Sequence, residues 1–234
     1  MIASGSFKKA AFIAAFFIAA AVNAQAGDME DRALIDAARK GDAAAVRYLL
    51  GQGAKVDSRD AAGRTALLVA THANRIEAAR LLIASGADVN AKDSIGDSPY
   101  LYAGAEGRNE ILKMTLDAGA DLKSVNRYGG TALIPAAHHG HAETVAILLA
   151  TGIDKDHINN LGWTALLEAV VLGDGGSVHT RIVTLLMEAG ADANIADRDA
   201  VTPLMHARKR GYKKMIEALE KLYPRKETGR KRVL

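Results

Sequence analysis

The sequence predicts an all-α fold, a solenoid of stacked helix-turn-helix modules that carry β-hairpin fingers. One observation is a 33-residue period, at which two sets of glycines recur: Gly63, Gly96, Gly129 and Gly162, and Gly53, Gly86, Gly119 and Gly152. A second is the composition, in which 5% aromatic residues accompany 49% hydrophobic residues. Such a composition favours stacked helices rich in alanine and leucine. A period of this size is typical of modules that bury their apolar faces only by stacking on one another.

The first 26 residues have the pattern of a secretory signal peptide. Lys8 and Lys9 precede an unbroken apolar run over 10–22, and Ala24-Gln25-Ala26 has the small residues of a cleavage site. The apolar run is shorter than the about 20 residues that a membrane-spanning helix needs. We therefore expect cleavage before Gly27 and a mature chain without a transmembrane anchor. The expected location is the bacterial periplasm, with secretion into the medium as the alternative.

The residues after the signal peptide divide into repeated segments. The predicted organisation is an N-terminal cap over 28–59, modules over 60–92, 93–125, 126–158 and 159–196, a C-terminal cap over 197–223, and a basic, disordered tail over 224–234. The 159–196 module is five residues longer than the 33-residue period. Since the chain contains no cysteine, no disulfide can hold these segments together, and stacking alone must stabilise them. We expect a monomer.

Each module is predicted to contain a turn, a short helix, a longer helix and an extended finger. A hydroxyl just before a first helix caps it by accepting a backbone N–H, and the candidates are Thr65, Ser98, Thr131, Thr164 and Thr202. Leucine pairs such as Leu148-Leu149 supply the apolar stripe of the second helix. Gly86 and Gly119 stand where a helix C-terminus needs a left-handed residue.

Several short motifs stand at fixed positions in the modules. Thr202-Pro203-Leu204 begins a first helix, Gly140-His141-Ala142-Glu143 joins two helices, and Ala87-Asp88-Val89-Asn90-Ala91 closes a module. Together they resemble the ankyrin repeat, from about Asp31 to Tyr223. The chain departs from that family where His normally follows Thr-Pro-Leu, because apolar residues occupy the position: Leu68, Leu101, Ile134, Leu167 and Met205. This departure predicts an apolar packing layer in place of a hydrogen-bonded one.

The resemblance implies that a partner protein binds on the concave side, through finger residues and exposed residues of the first helices. The candidate partner-binding residues are Arg64, His72, Ile95, Asp97, Arg127, Tyr128, His138, His139, Asn160, Leu161, Trp163 and Glu168. Tyr128 and Trp163, beside apolar neighbours on successive fingers, have the character of a binding hot spot. In the alternative interpretation, both rings pack on adjacent fingers and stiffen them.

The extra residues of the fourth module suggest a second kind of site. They are predicted to form a glycine-rich loop over Gly173–Thr180, between the two helices and next to the concave groove. The pattern is not a phosphate-binding loop, because Gly-x-x-x-x-Gly-Lys is absent. The alternative function is a small-ligand or metal site where this loop meets Glu168, His138 and His139. No trio of ligands has a metal-binding spacing, so we expect neither a metal nor a cofactor.

The charge distribution is uneven. Residues 208–234 carry 11 Lys or Arg against three Glu, whereas the whole chain has a formal net charge of only +3. A polar terminal cap explains this basic end, and attachment to anionic polymers of the cell envelope is the alternative. Because a signal peptide precedes the chain, we do not expect nucleic acid as a partner.

Catalytic motifs are missing from the sequence. It has no cysteine nucleophile, no Gly-x-Ser-x-Gly and no His-Glu-x-x-His. We therefore expect a non-enzymatic interaction protein of the envelope.

Overall fold

Twelve α-helices make up the regular secondary structure of the computed structural model, which describes residues 27–222. The predicted signal peptide and the predicted tail over 224–234 lie outside these residues, as does Tyr223. The chain divides into two compact units, one ending at Ser94 and the other beginning at Ile95.

The first unit contains four helices. They are α1 (27–40), α2 (Ala43–Gly51), α3 (Ala66–His72) and α4 (Ile76–Ala84). α4 packs against both α2 and α3. Leu34, Val46, Leu67 and Leu82 are fully buried and form the centre of this unit. The predicted alternation of a short first helix and a longer second helix is present in α3 and α4.

The second unit contains eight helices. They are α5 (Pro99–Ala105), α6 (Asn109–Asp117), α7 (Leu133–His138), α8 (Ala142–Leu149), α9 (Ala165–Val171), α10 (Ser177–Glu188), α11 (Pro203–Arg210) and α12 (Lys213–Leu222). The first helices stack in the order α5, α7, α9, α11, and the second helices in the order α6, α8, α10, α12. Two parallel layers therefore form, with a leucine- and alanine-rich core between them.

Small residues allow the layer of first helices to pack closely. A Cβ built on Gly104 of α5 lies 2.8 Å from the Cβ of Ala132, the residue before α7. Only glycine tolerates this approach, so any side chain at position 104 pushes the two helices apart. Apolar residues fill the position where the family carries His, and Leu68, Leu101, Ile134 and Leu167 are buried. The predicted apolar layer is thus present in four modules, while Met205 of the last first helix is 54% exposed.

Four of the five predicted N-caps are confirmed. The hydroxyls of Thr65, Ser98, Thr164 and Thr202 accept the N–H of the residue three positions later, over 3.2 to 3.3 Å. C-terminal caps are also as predicted, because Gly86 and Gly119 have φ of +86° and +87°.

The prediction for Thr131 is wrong. Its Oγ1 is buried and has no hydrogen-bond partner among residues 27–222. Pro135, four residues later, has no N–H to donate to the Thr131 carbonyl, and the N–H of Ile134 bonds to that carbonyl over 3.2 Å. The N–H that a capping hydroxyl would accept is therefore already used, and α7 begins only at Leu133.

The fingers are short turns built around an Asp or Asn side chain. In Asp60, Asn126, Asn159 and Asp197, Oδ1 accepts the N–H groups of the residues two and four positions later, over 2.9 to 3.1 Å. Within residues 27–222 these hairpins contain no β-strand, and a single antiparallel bridge joins Arg59 to Thr65. The side chains thus supply hydrogen bonds that a longer hairpin would take from paired strands.

The Gly173–Thr180 segment is only partly the predicted loop. α10 begins at Ser177, so Ser177 to Thr180 are helical and the irregular stretch ends at Gly176. Asp174 stabilises this stretch, since its Oδ1 accepts the N–H of Gly176 over 2.8 Å. The insertion therefore lengthens α10 at its N-terminus, to 12 residues against eight in α8.

Candidate functional site

A groove of about 430 Å³ runs along the second unit, between its fingers and the first helices α5, α7 and α9. We call it the central groove. The finger residues that line it are Asp97, Asn126, Arg127, Tyr128, Gly130, Asn159 and Leu161. The residues from the first helices and their C-terminal ends are Leu101, Tyr102, Ala105, Glu106, Ile134, Pro135, His138, His139, Glu168 and Leu172.

Two apolar side chains stand exposed at the rim of the central groove. Tyr128 is 55% exposed and Leu161 is 50% exposed, on successive fingers. The fingers are held in register by a backbone hydrogen bond of 2.9 Å from the N–H of Asn160 to the carbonyl of Tyr128. Fixed apolar groups of this kind bury contact area in a partner at a small cost in conformational entropy.

Two contacts hold Arg127 in place at the rim of the central groove. Its guanidinium carbon lies 5.0 Å from the centre of the Tyr128 ring, and its Nη1 lies 3.4 Å from Oδ2 of Asp97. The cation–π contact and the ion pair restrain Arg127 against its own finger and the preceding one. Among the described residues that line the central groove, Arg127 is the only arginine or lysine.

A carboxylate lies at the base of the central groove. Glu168 in α9 is 5% exposed, and its Oε1 accepts a hydrogen bond of 3.0 Å from the side-chain amide of Asn159. Its Oε2 lies 3.4 Å from Nδ1 of His138 in α7. Burial of a carboxylate is unfavourable unless hydrogen bonds or a cation compensate for the lost water.

Burial shifts the pKa values of both members of the Glu168–His138 pair toward the neutral forms. Desolvation raises the pKa of Glu168, and the hydrogen bond from Asn159 offsets part of that rise. Desolvation lowers the pKa of His138, and the nearby His139 and His179 lower it further. His138 is therefore a poor source of the positive charge that would compensate Glu168 at neutral pH.

Other histidines cluster beside this pair. The rings of His138 and His139 have centres 4.9 Å apart, and the rings of His139 and His141 meet edge-on at 5.9 Å. Nδ1 of His139 donates to the carbonyl of Ala105 over 2.8 Å, which anchors it to α5. In the part of the chain that the structure describes, no group of three or more His, Asp or Glu side chains is arranged to hold a metal ion.

Seven of the twelve predicted partner-binding residues line the central groove. They are Asp97, Arg127, Tyr128, His138, His139, Leu161 and Glu168. Ile95 and Asn160 are exposed in the same unit but outside the groove, and Trp163 is half-buried there and also lies outside it. Arg64 and His72 belong to the first unit, where Arg64 is paired with Asp60 over 2.7 Å.

Four polar or aromatic residues of the central groove are not among the twelve candidates, Tyr102, Glu106, Asn126 and Asn159. Asn159 has a signal in the sequence. Asp or Asn begins each module at the 33-residue spacing, and the residue nine positions later lies on the first helix. Asn159 faces Glu168 at this spacing, and Asp197 accepts a hydrogen bond of 2.6 Å from Nε2 of His206 at the same spacing.

The loop of the fourth module does not line the central groove, which reaches only Leu172 before it. The loop is bonded to its neighbours instead. The hydroxyl of Tyr212, beside α12, donates to the carbonyl of Gly173 over 3.1 Å, and Nε2 of His179 donates to the carbonyl of His138 over 3.0 Å. The insertion therefore connects the ends of three successive helix pairs.

Comparison with known families agrees with this architecture. The family described as ankyrin repeats, in three copies, matches residues 1–93 and 100–197. The chain belongs to the ankyrin repeat family. Ankyrin repeats generally mediate protein–protein interaction, and their domains are typically not enzymes. No curated protein matches the chain.

Two solved structures are similar to this ankyrin repeat chain. The ankyrin repeat domain ABAYE2397 from Acinetobacter baumannii AYE has 58% sequence identity and a TM-score of 0.79, over 81% of this chain and 96% of that one. The ankyrin repeat protein EF0377 has 47% identity and a TM-score of 0.77, over 80% of this chain and 96% of that one. Across residues 27–222, no helix has the length and apolar character needed to cross a membrane.

Proposed function

We propose that this ankyrin repeat chain is a non-enzymatic binding protein and that its partner, another protein, docks in the central groove. The observation that carries the proposal is the exposure of Tyr128 and Leu161 above a groove whose walls are fixed by hydrogen bonds. A preformed groove avoids the cost of ordering flexible segments on binding. Aromatic and apolar anchors at the centre of an interface supply most of its binding energy.

The proposed contact surface begins with the seven predicted residues that line the central groove. Tyr102 and Leu172 extend it along α5 and past the end of α9. Ile95 and Asn160, exposed on the same fingers, are proposed to contact the partner at its edge. Polar residues around an apolar centre are the usual anatomy of a protein interface.

We place the protein in the bacterial envelope, in the periplasm, with release into the medium as the alternative. The support is the sequence over 1–26, where a short basic stretch, an apolar run and Ala24-Gln25-Ala26 follow one another. The partner is then an envelope or periplasmic protein. Fractionation of cells that express the full-length chain tests this placement, because a cytoplasmic, uncleaved product contradicts it.

A capture experiment from periplasmic extract tests the groove. Immobilised wild-type protein is compared with Tyr128→Ala and with a matched control, Tyr48→Ala, which removes an exposed tyrosine from α2 in the first unit. We expect the wild type and Tyr48→Ala to retain the same partner and Tyr128→Ala to lose about tenfold or more in affinity. Equal retention by all three proteins would contradict docking in the central groove.

A further inference from the structure

The central groove has a negative interior, and this charge indicates the chemistry of its partner. Three carboxylates line it, those of Asp97, Glu106 and Glu168. Arg127 pairs with Asp97 and lies over the Tyr128 ring, so its charge is already engaged. Glu106 interacts electrostatically with the imidazole of His141 and the side chain of Tyr102, neither of which carries a permanent positive charge.

Glu168 is the carboxylate with the strongest need for a cation. It is buried, its Oε1 and Oε2 lie against the amide of Asn159 and the imidazole of His138, and His139 acts on it electrostatically. None of these three groups carries a permanent positive charge. A buried carboxylate that lacks a cation is unfavourable, and one that gains a hydrogen-bonded cation away from water is stabilised more than it would be at the surface.

The surroundings of Glu168 suit a long basic side chain. Lysine and arginine carry an apolar stem below the charged group, and Leu161, Tyr102 and Ile134 supply apolar surface for such a stem along the walls of the groove. Tyr102 adds an aromatic ring to the wall of the groove, and aromatic rings attract cations. Tyr128 and Leu161 at the rim leave room for an apolar neighbour of that basic residue.

From this complementarity we infer that the partner inserts a lysine or arginine side chain from an extended segment into the central groove, toward Glu168, with an apolar residue against Tyr128 and Leu161. The inference rests on the proposed function, because it names the partner chemistry of the same groove. It also separates the roles of the residues. Tyr128 and Leu161 supply affinity, while Glu168 and Glu106 select the basic residue.

The test uses the full-length protein and a set of fluorescein-labelled synthetic peptides, 12 residues long. The peptides share an extended frame with one leucine, and the residue two positions from it is Arg, Lys, Gln, Met or Glu. Binding is measured by fluorescence anisotropy at low salt. We expect Arg or Lys peptides to bind about tenfold more tightly than Gln or Met peptides, with Glu the weakest, as charge-assisted hydrogen bonding requires.

Variants locate the selectivity. Glu168→Gln keeps the shape of the side chain and is expected to remove most of the preference for Arg and Lys, and Glu106→Gln to weaken it. Glu188→Gln removes an exposed carboxylate near the end of α10, outside the groove, and is expected to leave the preference unchanged. Loss of the preference in Glu188→Gln as much as in Glu168→Gln would show a general charge effect and overturn the inference.

Two outcomes distinguish this inference from the proposed function. Capture of a partner that depends on Tyr128, together with peptides that show no preference for Arg or Lys, overturns the inference and leaves the proposed function standing. Capture that is unaffected by Tyr128→Ala overturns both. A preference for Arg over Lys, or the reverse, supports the inference and identifies which basic side chain fits.

Discussion

The side-chain amide of Asn159 donates a hydrogen bond of 3.0 Å to the buried carboxylate of Glu168. The same asparagine closes its finger, since its Oδ1 accepts the N–H groups of Leu161 and Trp163. One residue therefore shapes the rim of the central groove and orients the carboxylate at its base. At the equivalent position of the next segment, Asp197 faces His206 instead, so in both cases the finger residue hydrogen-bonds the side chain nine positions later on the first helix.

Asn159→Asp tests this complementarity. The turn bonds survive the change, because Asp60 and Asp197 already close fingers, but a second carboxylate then faces Glu168. We expect a loss of about 2 to 4 kcal/mol in the free energy of unfolding at neutral pH. Repulsion raises the folded-state pKa of one of the two acids above the usual carboxyl range, so the loss shrinks as the pH falls through that raised pKa and is smallest below the usual range.

The matched control for that variant is Asn126→Asp, whose partner position nine residues later is Pro135. It changes the same atom in the same kind of turn without opposing a carboxylate. Denaturant unfolding at several pH values gives the free energy of unfolding of both variants. Equal destabilisation of the two would show that the Asn159–Glu168 hydrogen bond does not contribute to stability beyond the turn itself.

Glu168→Gln is expected to change how stability depends on pH. Because burial raises the pKa of Glu168 above 4.5, the stability linked to this group is fully present below that pH and is lost as the pH rises through the folded-state pKa. Glutamine does not ionise, so the variant gains stability relative to the wild type as the pH increases. Urea unfolding at pH values from about 4 to 7 measures the difference, with Glu188→Gln as the control. A gain that appears only on the acid side contradicts the assignment.

Thr131 and Thr164 are equally buried but differ in their bonding. The hydroxyl of Thr164 caps α9, whereas that of Thr131 has no partner in the described part of the chain. Thr164→Val is expected to cost about 1 kcal/mol, and Thr131→Val to be neutral or to stabilise by about 1 kcal/mol. Thermal unfolding of the two single variants measures this difference in stability. A similar loss from both would mean that Thr131 has a partner after all.

Gly175 is expected to be far less tolerant of alanine than Gly211. Both have positive φ, +75° and +70°, so each substitution carries a similar backbone cost of about 1 kcal/mol. A Cβ on Gly175 lies 2.4 Å from the Tyr212 ring, whereas a Cβ on Gly211 has no neighbour within 4 Å. We expect Gly175→Ala to cost about 1 to 3 kcal/mol more than Gly211→Ala. Equal melting temperatures would show that the loop does not pack on Tyr212.

Tyr128 and Trp163 are expected to separate affinity from stability. Tyr128 lines the central groove and is exposed, while Trp163 is half-buried outside it. Tyr128→Ala should weaken partner capture with little change in melting temperature. Trp163→Ala should lower the free energy of unfolding by about 2 kcal/mol and affect capture less. Loss of capture in Trp163→Ala with unchanged stability, and loss of stability in Tyr128→Ala with unchanged capture, would show that Trp163 and not Tyr128 contacts the partner.

Much of the fold was predictable because each module repeats the same local requirements. The hydroxyl caps and the turn glycines each satisfy backbone groups within a few residues, and they recur at the 33-residue spacing. They can therefore be predicted without knowing which side chains of other modules pack against them. Thr131 is the exception that shows the limit. Thr131 does not cap α7, because Pro135 has no N–H for the Thr131 carbonyl and the N–H of Ile134 bonds to that carbonyl instead. The presence of a hydroxyl at position 131 does not reveal this.

The sequence by itself determined the ankyrin repeat fold, the order of the helices and the exposed positions of Tyr128 and Leu161. Only the tertiary structure decided which candidates meet in one groove, that Asn159 supports Glu168, that Trp163 stands apart, and that α10 begins at Ser177. The physical reason is the range of the interactions. Caps and turns depend on residues a few positions away, whereas the exposure and electrostatics of a groove residue depend on side chains one or more modules distant.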